Sequence, residues 1–204
     1  MLYCQFPELL FILLQLPVPE SLFFEFFSSQ FDFPSLQKKY VSENIVLKDG
    51  LNKEEKYKAL FPQIVALVEG ESDLIANTAN IVAALKEAFS FFWIGIYFVK
   101  DENGKEELVL GPFQGPPACV RIAKGKGVCG TTWQQKTTLI VPDVNHFPGH
   151  IACSALSKSE IVVPVIKNDI VCAVIDVDSS ELAEFNSIDE IYLTKIAGLI
   201  SKMI

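Results

Sequence analysis

Residues 160–178 read EIVVPVIKNDIVCAVIDVD, and they indicate the architecture more clearly than any other part of the chain. Two runs rich in β-branched residues, 160–166 and 170–178, flank the polar triplet KND. Runs of this kind, separated by turn-forming residues, are typical of paired antiparallel strands. The stretch therefore predicts a β-hairpin, with Cys172 packed in the core as a small apolar residue.

The segments on either side of this hairpin predict further strands and flanking helices. Upstream, residues 92–100, 107–111, 118–122 and 138–141 have strand character. Apolar residues recur every three to four positions across 52–89, with Gly70 as a stop and Ser72 as the next cap, and again across 187–203. The pattern predicts one α+β domain, with a central antiparallel sheet and with the N- and C-terminal helices packed on one face. The other face is then available for a ligand pocket.

The composition is that of an acidic protein with a substantial core. The chain has 204 residues, 50% of them hydrophobic, and a formal net charge of -8. Nucleic-acid binding needs a basic surface, and no run of Lys or Arg indicates attraction to an anionic membrane. We therefore expect a cytoplasmic protein that binds neither nucleic acid nor membrane.

The first 40 residues differ from the remainder. Residues 1–37 contain no Lys or Arg and are crowded with Leu and Phe. The apolar run at residues 9–16 lacks the basic start of a signal peptide, and it is shorter than the roughly 20 residues that a membrane span needs. Three alternatives are open for this segment: an unusual targeting segment, a docking element, or translated sequence outside the true start. We predict that residues 1–40 are an atypical extension, disordered or outside the domain, and that 41–204 form the domain.

Three of the five cysteines lie among glycines and charged residues: Cys119, Cys129 and Cys153. An odd number fits a secreted disulfide framework poorly, whereas these surroundings favour a reactive thiolate. The alternative is a zinc site formed by the three cysteines with His146 or His150. The gaps of nine and 23 residues between the cysteines lack the short paired spacing of such sites. We therefore predict redox chemistry on a small molecule.

The sequence around these cysteines resembles one enzyme family. The strings GPFQG, ACVRI, KGKGVCGT, IVPDVN, PGHIAC, SKSEIVVP and VIDVDS are similar to those of the free methionine-R-sulfoxide reductases. The resemblance extends over about residues 51–204. It implies a GAF-like domain that reduces the R epimer of free methionine sulfoxide to methionine, as an antioxidant repair of the free amino acid.

The resemblance also implies roles for the three cysteines. Cys153 corresponds to the nucleophile, Cys119 to its resolving partner and Cys129 to an alternative or relay. Attack by a thiolate on a sulfoxide produces a sulfenic acid, which a second thiol condenses to an intramolecular disulfide. A dithiol such as thioredoxin then returns the electrons. Because the sulfurs carry the electrons, no metal, flavin or nicotinamide cofactor is expected.

Three acids and one tryptophan correspond to the substrate pocket of that family: Trp93, Glu160, Asp176 and Asp178. Asp176 and Asp178 are two apart on a predicted strand, so their side chains point to the same face. Like charges in one pocket raise at least one pKa, which keeps a carboxyl group protonated for the departing oxygen. The glycine-rich stretch 125–130 precedes a short helix, whose free N–H groups could receive the substrate carboxylate.

A non-catalytic GAF sensor of a small ligand or of redox state is the alternative function. It predicts tight binding without chemical conversion, and usually an attached output domain, which we do not expect here. GAF domains often pair through their terminal helices, so a homodimer is a further expectation of the resemblance.

Overall fold

The computed structural model describes residues 44–149 and 155–204, which form one antiparallel sheet with helices on both faces. The described residues therefore do not include the extension predicted at 1–40, nor the candidate residues His150 and Cys153. The helices are α1 (Lys53–Val68), α2 (Leu74–Phe89), α3 (Gly127–Gln135) and α4 (Ser187–Ser201), with a short 3-10 helix at Val144–His146. The strands are β1 (Trp93–Glu102), β2 (Lys105–Gln114), β3 (Arg121–Ile122), β4 (Leu139–Val141), β5 (Ser159–Lys167) and β6 (Ile170–Ser179).

The sheet has six strands in the order β3-β2-β1-β6-β5-β4, and every neighbouring pair is antiparallel. Two tight hairpins set its register. Asn103 and Gly104 join β1 to β2, and Asn168 and Asp169 join β5 to β6, all four with positive φ. Two-residue loops of this type match the twist of the paired strands. The predicted hairpin at 160–178 is confirmed.

One face of the sheet forms the main core with the terminal helices. Alternate residues of the central strands point to this face, among them Ile94, Ile161 and Ile175, all at most 1% exposed. They pack with the apolar sides of α1, α2 and α4. Alternation along a strand sends the intervening side chains to the opposite face. The predicted α+β architecture, with a central antiparallel sheet and with the N- and C-terminal helices packed on one face, is confirmed.

Side-chain caps fix where the helices begin. Asn52 and Glu55 form a capping box at α1, and Asp73 accepts a hydrogen bond from the Ala76 amide at α2. The prediction of Ser72 as the second cap is wrong by one residue, because the Asp73 carboxylate occupies that position. Pro62 lies inside α1.

A buried carboxylate joins the first and last helices. Asp189, which has no exposed surface, accepts hydrogen bonds from Lys53 Nζ at 2.9 Å, from Tyr57 Oη at 3.1 Å and from the Asn186 amide at 2.9 Å. Three donors offset the cost of taking the charge out of water.

In the described part of the chain, no helix is both long and apolar enough to cross a membrane.

Candidate active site

The face of the sheet opposite the main core carries a cavity with an empty volume of about 580 Å³, counting the space that opens to solvent. Its floor is formed by side chains of β1, β5 and β6, and its walls by α3 and by the segment that leads to β3. The lining includes the predicted site residues Trp93, Cys129, Glu160, Asp176 and Asp178. Residues far apart in sequence thus meet in one partly enclosed space.

Three site residues form a row across the central strands. Trp93 on β1 is the register partner of Asp178 on β6, and Asp178 is the partner of Glu160 on β5. Directly opposed residues lie on the same face of a sheet with their Cβ atoms about 5 Å apart. Asp176, two residues earlier on β6, continues this face, where its partner on β1 is Gly95.

Burial and mutual repulsion raise the pKa of two of the acids. The pKa of Glu160 is raised well above its ordinary value, first by burial and then by the charges of Asp176 and Asp178. The pKa of Asp176 is raised by burial and by Asp178, although hydrogen bonding with Cys129 and Glu160 opposes this. Desolvation disfavours the charged form of any carboxyl group. This wall of the cavity therefore favours the protonated form of its carboxyl groups.

Asp178 lies nearer the opening. Burial raises its pKa to about 6, while a hydrogen bond from the Ser157 hydroxyl works in the opposite direction. A group with this pKa exchanges protons close to neutral pH, as a general acid or base does. Ser157 reaches Asp178 from the loop before β5, because the Lys158 amide is hydrogen-bonded to the Ser179 carbonyl.

Cys129 faces the acids. Its thiol is 4% exposed, on the first turns of α3. Burial raises the pKa of this thiol well above its ordinary value, and the charges of Asp176 and Glu160 add to the effect. A thiol in these surroundings is held in the neutral form, which is the weaker nucleophile.

Two glycines make room for the Trp93 ring, which forms the aromatic side of the cavity. A Cβ on Gly95 would approach this ring to 2.3 Å, and a Cβ on Gly115 would approach it to 2.6 Å. Phe113 stacks on the other side of the ring, with centroids 5.6 Å apart. The two glycines are therefore needed for the ring to lie flat beside the acids.

The segment that contains Cys119 is held over the cavity by two hydrogen bonds. Trp93 Nε1 donates to the Pro116 carbonyl at 3.0 Å, and Tyr97 Oη donates to the Cys119 carbonyl at 3.0 Å. Residues 116–118 line the cavity, and Cys119 is half-buried beside them. The predicted strand at 118–122 contains only Arg121–Ile122, because two consecutive prolines, which have no N–H to donate, precede it.

Helix α3 begins at the cavity. The predicted helix 131–135 in fact starts at Gly127, and its N-cap residue Lys126 makes no side-chain capping hydrogen bond. The first turn of a helix carries amide N–H groups without intrahelical partners. Lys126, Gly127 and Val128 line the cavity, so this helix end is positioned for an anionic group.

The structure thus brings together Trp93, Glu160, Asp176 and Asp178 with Cys129, and it places Cys119 beside them. Three further residues were not anticipated: Gly95, Tyr97 and Ser157. Tyr97 falls on the same strand face as Trp93 and was detectable from the alternation along β1, whereas Ser157 lies in a loop without periodicity.

His146 is 84% exposed at its side chain and pairs with Asp143, away from Cys129. Cys172, predicted in the core, is half-buried towards the outer end of β6.

Comparisons with known proteins identify the family to which the chain belongs. The family model of the GAF domain matches residues 73–204. GAF domain-containing protein A of Dictyostelium discoideum is 59% identical over 78% of this chain and 99% of its own length. A protein of Saccharomyces cerevisiae named free methionine-R-sulfoxide reductase is 41% identical over 79% of this chain and 92% of its own. The X-ray structure of free methionine-R-sulfoxide reductase from Neisseria meningitidis, in complex with its substrate, is 45% identical, with a TM-score of 0.74 over 78% of this chain and 95% of that one.

Proposed function

We propose that this chain, which belongs to the free methionine-R-sulfoxide reductase family of GAF-domain proteins, reduces free L-methionine (R)-S-oxide to L-methionine in the cavity. The observation that carries the proposal is the row of Trp93, Asp178 and Glu160 with Asp176 beside it. An aromatic surface, a set of proton-holding acids and a helix N-terminus in one enclosed space suit a small zwitterion with a sulfoxide group.

Each part of the substrate has a complementary group in the cavity. The ammonium group binds the acids, where Asp176 Oδ1 is buried without a hydrogen-bond partner among the described residues. The carboxylate binds the amide groups at the start of α3, and the methyl group packs on the Trp93 ring. Recognition of both charged ends favours the free amino acid over a methionine sulfoxide within a peptide.

The chemistry proceeds in three balanced steps. The Cys153 thiolate attacks the sulfoxide sulfur, the oxygen gains protons and passes to the cysteine, and the products are methionine and the sulfenic acid of Cys153. The Cys119 thiol then condenses with the sulfenic acid, which forms a disulfide and releases water. An external dithiol reduces the disulfide by exchange and is itself oxidised. Each cycle consumes two electrons and two protons.

The acids supply protons where the oxygen departs. Burial and two neighbouring carboxyl groups raise the pKa of Glu160, which favours its protonated form. A carboxylic acid in this state donates to the developing negative charge on oxygen more effectively than water does. Glu160 is the proposed donor, and Asp178 exchanges the proton with solvent.

The proposed roles of the cysteines rest on the family resemblance, and two observations support them. Ser157, which lines the cavity, is four residues from Cys153 in sequence, and four residues of chain span at most about 14 Å. This length of chain allows the Cys153 thiol to act in the cavity. Cys119, half-buried above the cavity, is the proposed resolving thiol. Cys129 is the slower alternative, since burial keeps its thiol protonated.

The electron donor, the compartment and the assembly are also proposals. We assign the donor role to thioredoxin, the reaction to the cytoplasm, where dithiols are kept reduced, and the protein to a homodimer. Thioredoxin, its reductase and NADPH should sustain turnover without dithiothreitol. Multi-angle light scattering on the purified chain should give twice the mass of 22.7 kDa.

The proposed activity is tested by supplying the purified chain and dithiothreitol with each free methionine sulfoxide epimer separately. We expect methionine from the R epimer only, at an undiminished rate in the Cys172→Ser control. An acetylated, amidated R sulfoxide should react poorly, because it has neither charged end. Folded protein that binds the R epimer without converting it would instead support a sensor and overturn the reductase assignment.

A further inference from the structure

One cluster of side chains has a composition that the reductase chemistry does not require. The Cys129 Sγ, a Glu160 carboxylate oxygen and an Asp176 carboxylate oxygen all lie within 4.8 Å of one another, and all three residues are buried. Among the described residues, these are the ones whose donor atoms converge closely enough to share one ion. A thiol among the acids offers a soft donor beside two hard ones.

A second observation points to a ligand at the same place. Asp176 is 7% exposed, and its Oδ1 atom is buried without a hydrogen-bond partner among the described residues. Such an atom incurs the full cost of desolvation unless something in the cavity binds it. The residue lines the cavity, so a small cation reaches it by the route that the substrate would use.

We propose that Cys129, Glu160 and Asp176 bind a zinc ion in the cavity, and that this zinc excludes the substrate. The ion would take three protein ligands, one sulfur and two oxygens, and would keep a fourth position open to the cavity. This is the arrangement of zinc sites with an exchangeable ligand. It differs from the zinc site that the cysteine contexts suggested, since its other ligands are acids of the sheet, with no further cysteine or histidine.

The donor atoms suit zinc in both type and spacing. A thiolate disfavours Mg²⁺ and Ca²⁺, which select oxygen ligands, whereas zinc accepts sulfur and carboxylate oxygen together. Ligand bonds of about 2.0 to 2.3 Å at tetrahedral angles place neighbouring donor atoms about 3.5 Å apart. The observed separations of up to 4.8 Å require a contraction of about 1.3 Å at most.

The site overlaps with the proposed position of the substrate ammonium group, because both use the Asp176 oxygen. Zinc and methionine sulfoxide should therefore compete. This consequence rests on the proposed function, whereas the binding of zinc does not. A direct measurement of metal binding separates the two.

The direct test uses the full chain, reduced and freed of metal, with cobalt(II) as a spectroscopic substitute for zinc. We expect one cobalt ion per chain and a thiolate-to-cobalt charge-transfer band in the near ultraviolet, which one equivalent of zinc removes. Cys129→Ser should lose this band, and Asp176→Asn and Glu160→Gln should each weaken zinc at least tenfold in a chelator competition. Cys172→Ser, the matched control, should behave as the unaltered chain. If Cys129→Ser does not fold, the two acid variants decide.

Two results would overturn the zinc site. One is a charge-transfer band that persists in Cys129→Ser but disappears in Cys153→Ser or Cys119→Ser. The other is zinc affinity unchanged in both acid variants. In the activity arm, zinc should raise the KM for the R sulfoxide without lowering kcat, and a chelator should reverse this. Zinc binding without any reductase activity would contradict the proposed function and leave the metal site standing.

Discussion

Glu160 and Asp178 lie directly opposite each other across the β5–β6 pair, on the face of the sheet that carries the cavity. Asp176 is on the same face, one pleat further along β6. Three carboxyl groups in one buried wall cannot all be ionised without strong repulsion. The register of a single hairpin therefore brings the three carboxyl groups of the proposed site together.

The first prediction concerns stability and pH. The folded-state pKa of Asp178 is raised from 3.8 to about 6, so the folded protein holds this proton where the unfolded chain has lost it. Its contribution to stability is complete below about pH 4 and is lost as the pH rises through about 6. In Asp178→Asn this part of the decline should disappear, which amounts to about 1 to 2 kcal/mol for a residue with some exposure.

Chemical denaturation at several pH values between 4 and 7, with each free energy of unfolding compared, measures this effect. The matched control is Glu87→Gln, which removes an exposed carboxylate of α2 on the other side of the sheet. The control should retain the decline. Parallel curves for Asp178→Asn and the unaltered chain would contradict the assigned pKa.

The second prediction separates proton donation from substrate binding. Glu160→Gln keeps the shape and removes the acidic proton, so kcat should fall about 100-fold or more with a modest change in KM. Asp176→Asn replaces a carboxyl group that faces the proposed position of the ammonium group with an amide, so KM should rise about tenfold or more. Steady-state kinetics on the R sulfoxide distinguish the two effects. If both variants raised KM equally and left kcat unchanged, Glu160 would have no role in the chemical step.

The third prediction tests how the Trp93 ring is accommodated. Gly95→Ala places a methyl group 2.3 Å from the ring and 2.7 Å from the Phe113 Cβ. Because neither neighbour can move away without displacing the sheet or the ring, we expect a loss of about 1 to 3 kcal/mol in stability. KM for the R sulfoxide should rise as well, since the ring would leave its position over the substrate.

Gly198→Ala in α4 is the matched control for that substitution. A Cβ at Gly198 meets nothing within 4 Å, and its backbone conformation is ordinary. Alanine in a helix interior is favoured over glycine by roughly 0.5 to 1 kcal/mol, so this variant should be slightly stabilised. Urea unfolding of both variants provides the comparison, and a neutral Gly95→Ala would contradict the packing described for Trp93.

The fourth prediction concerns the link between the terminal helices. Asp189→Ala leaves Lys53 and Tyr57 without their buried acceptor, and we expect a loss of about 3 to 5 kcal/mol in the free energy of unfolding. Glu190→Ala in the same helical turn should cost less than about 1 kcal/mol. If the free energy of unfolding, measured by heat and by urea, fell by similar amounts in the two variants, the buried network would contribute little to stability.

Much of the fold was predictable because its signals are local. The β5–β6 hairpin, the apolar periodicity of the helices and the shared face of Asp176 and Asp178 all follow from spacing along the chain. The position of Glu160 opposite Asp178 depends on strand register, which the turn at Asn168 and Asp169 fixes and which spacing alone does not give. The approach of the Cys129 thiol to the acids depends on how α3 packs against the sheet, which the sequence around Cys129 does not show.

The central claim is that Cys153 reduces the sulfoxide and that Cys119 is its resolving partner. One turnover without reductant tests this claim most directly. Reduced protein is mixed with excess R sulfoxide, methionine formed per chain is counted, and the sulfur linkages are mapped by mass spectrometry. The unaltered chain should form about one methionine per chain and a Cys119–Cys153 disulfide. Cys119→Ser should still form one methionine, with a sulfenic acid at Cys153, and Cys153→Ser should form none. One equivalent of methionine from folded Cys153→Ser would contradict the account.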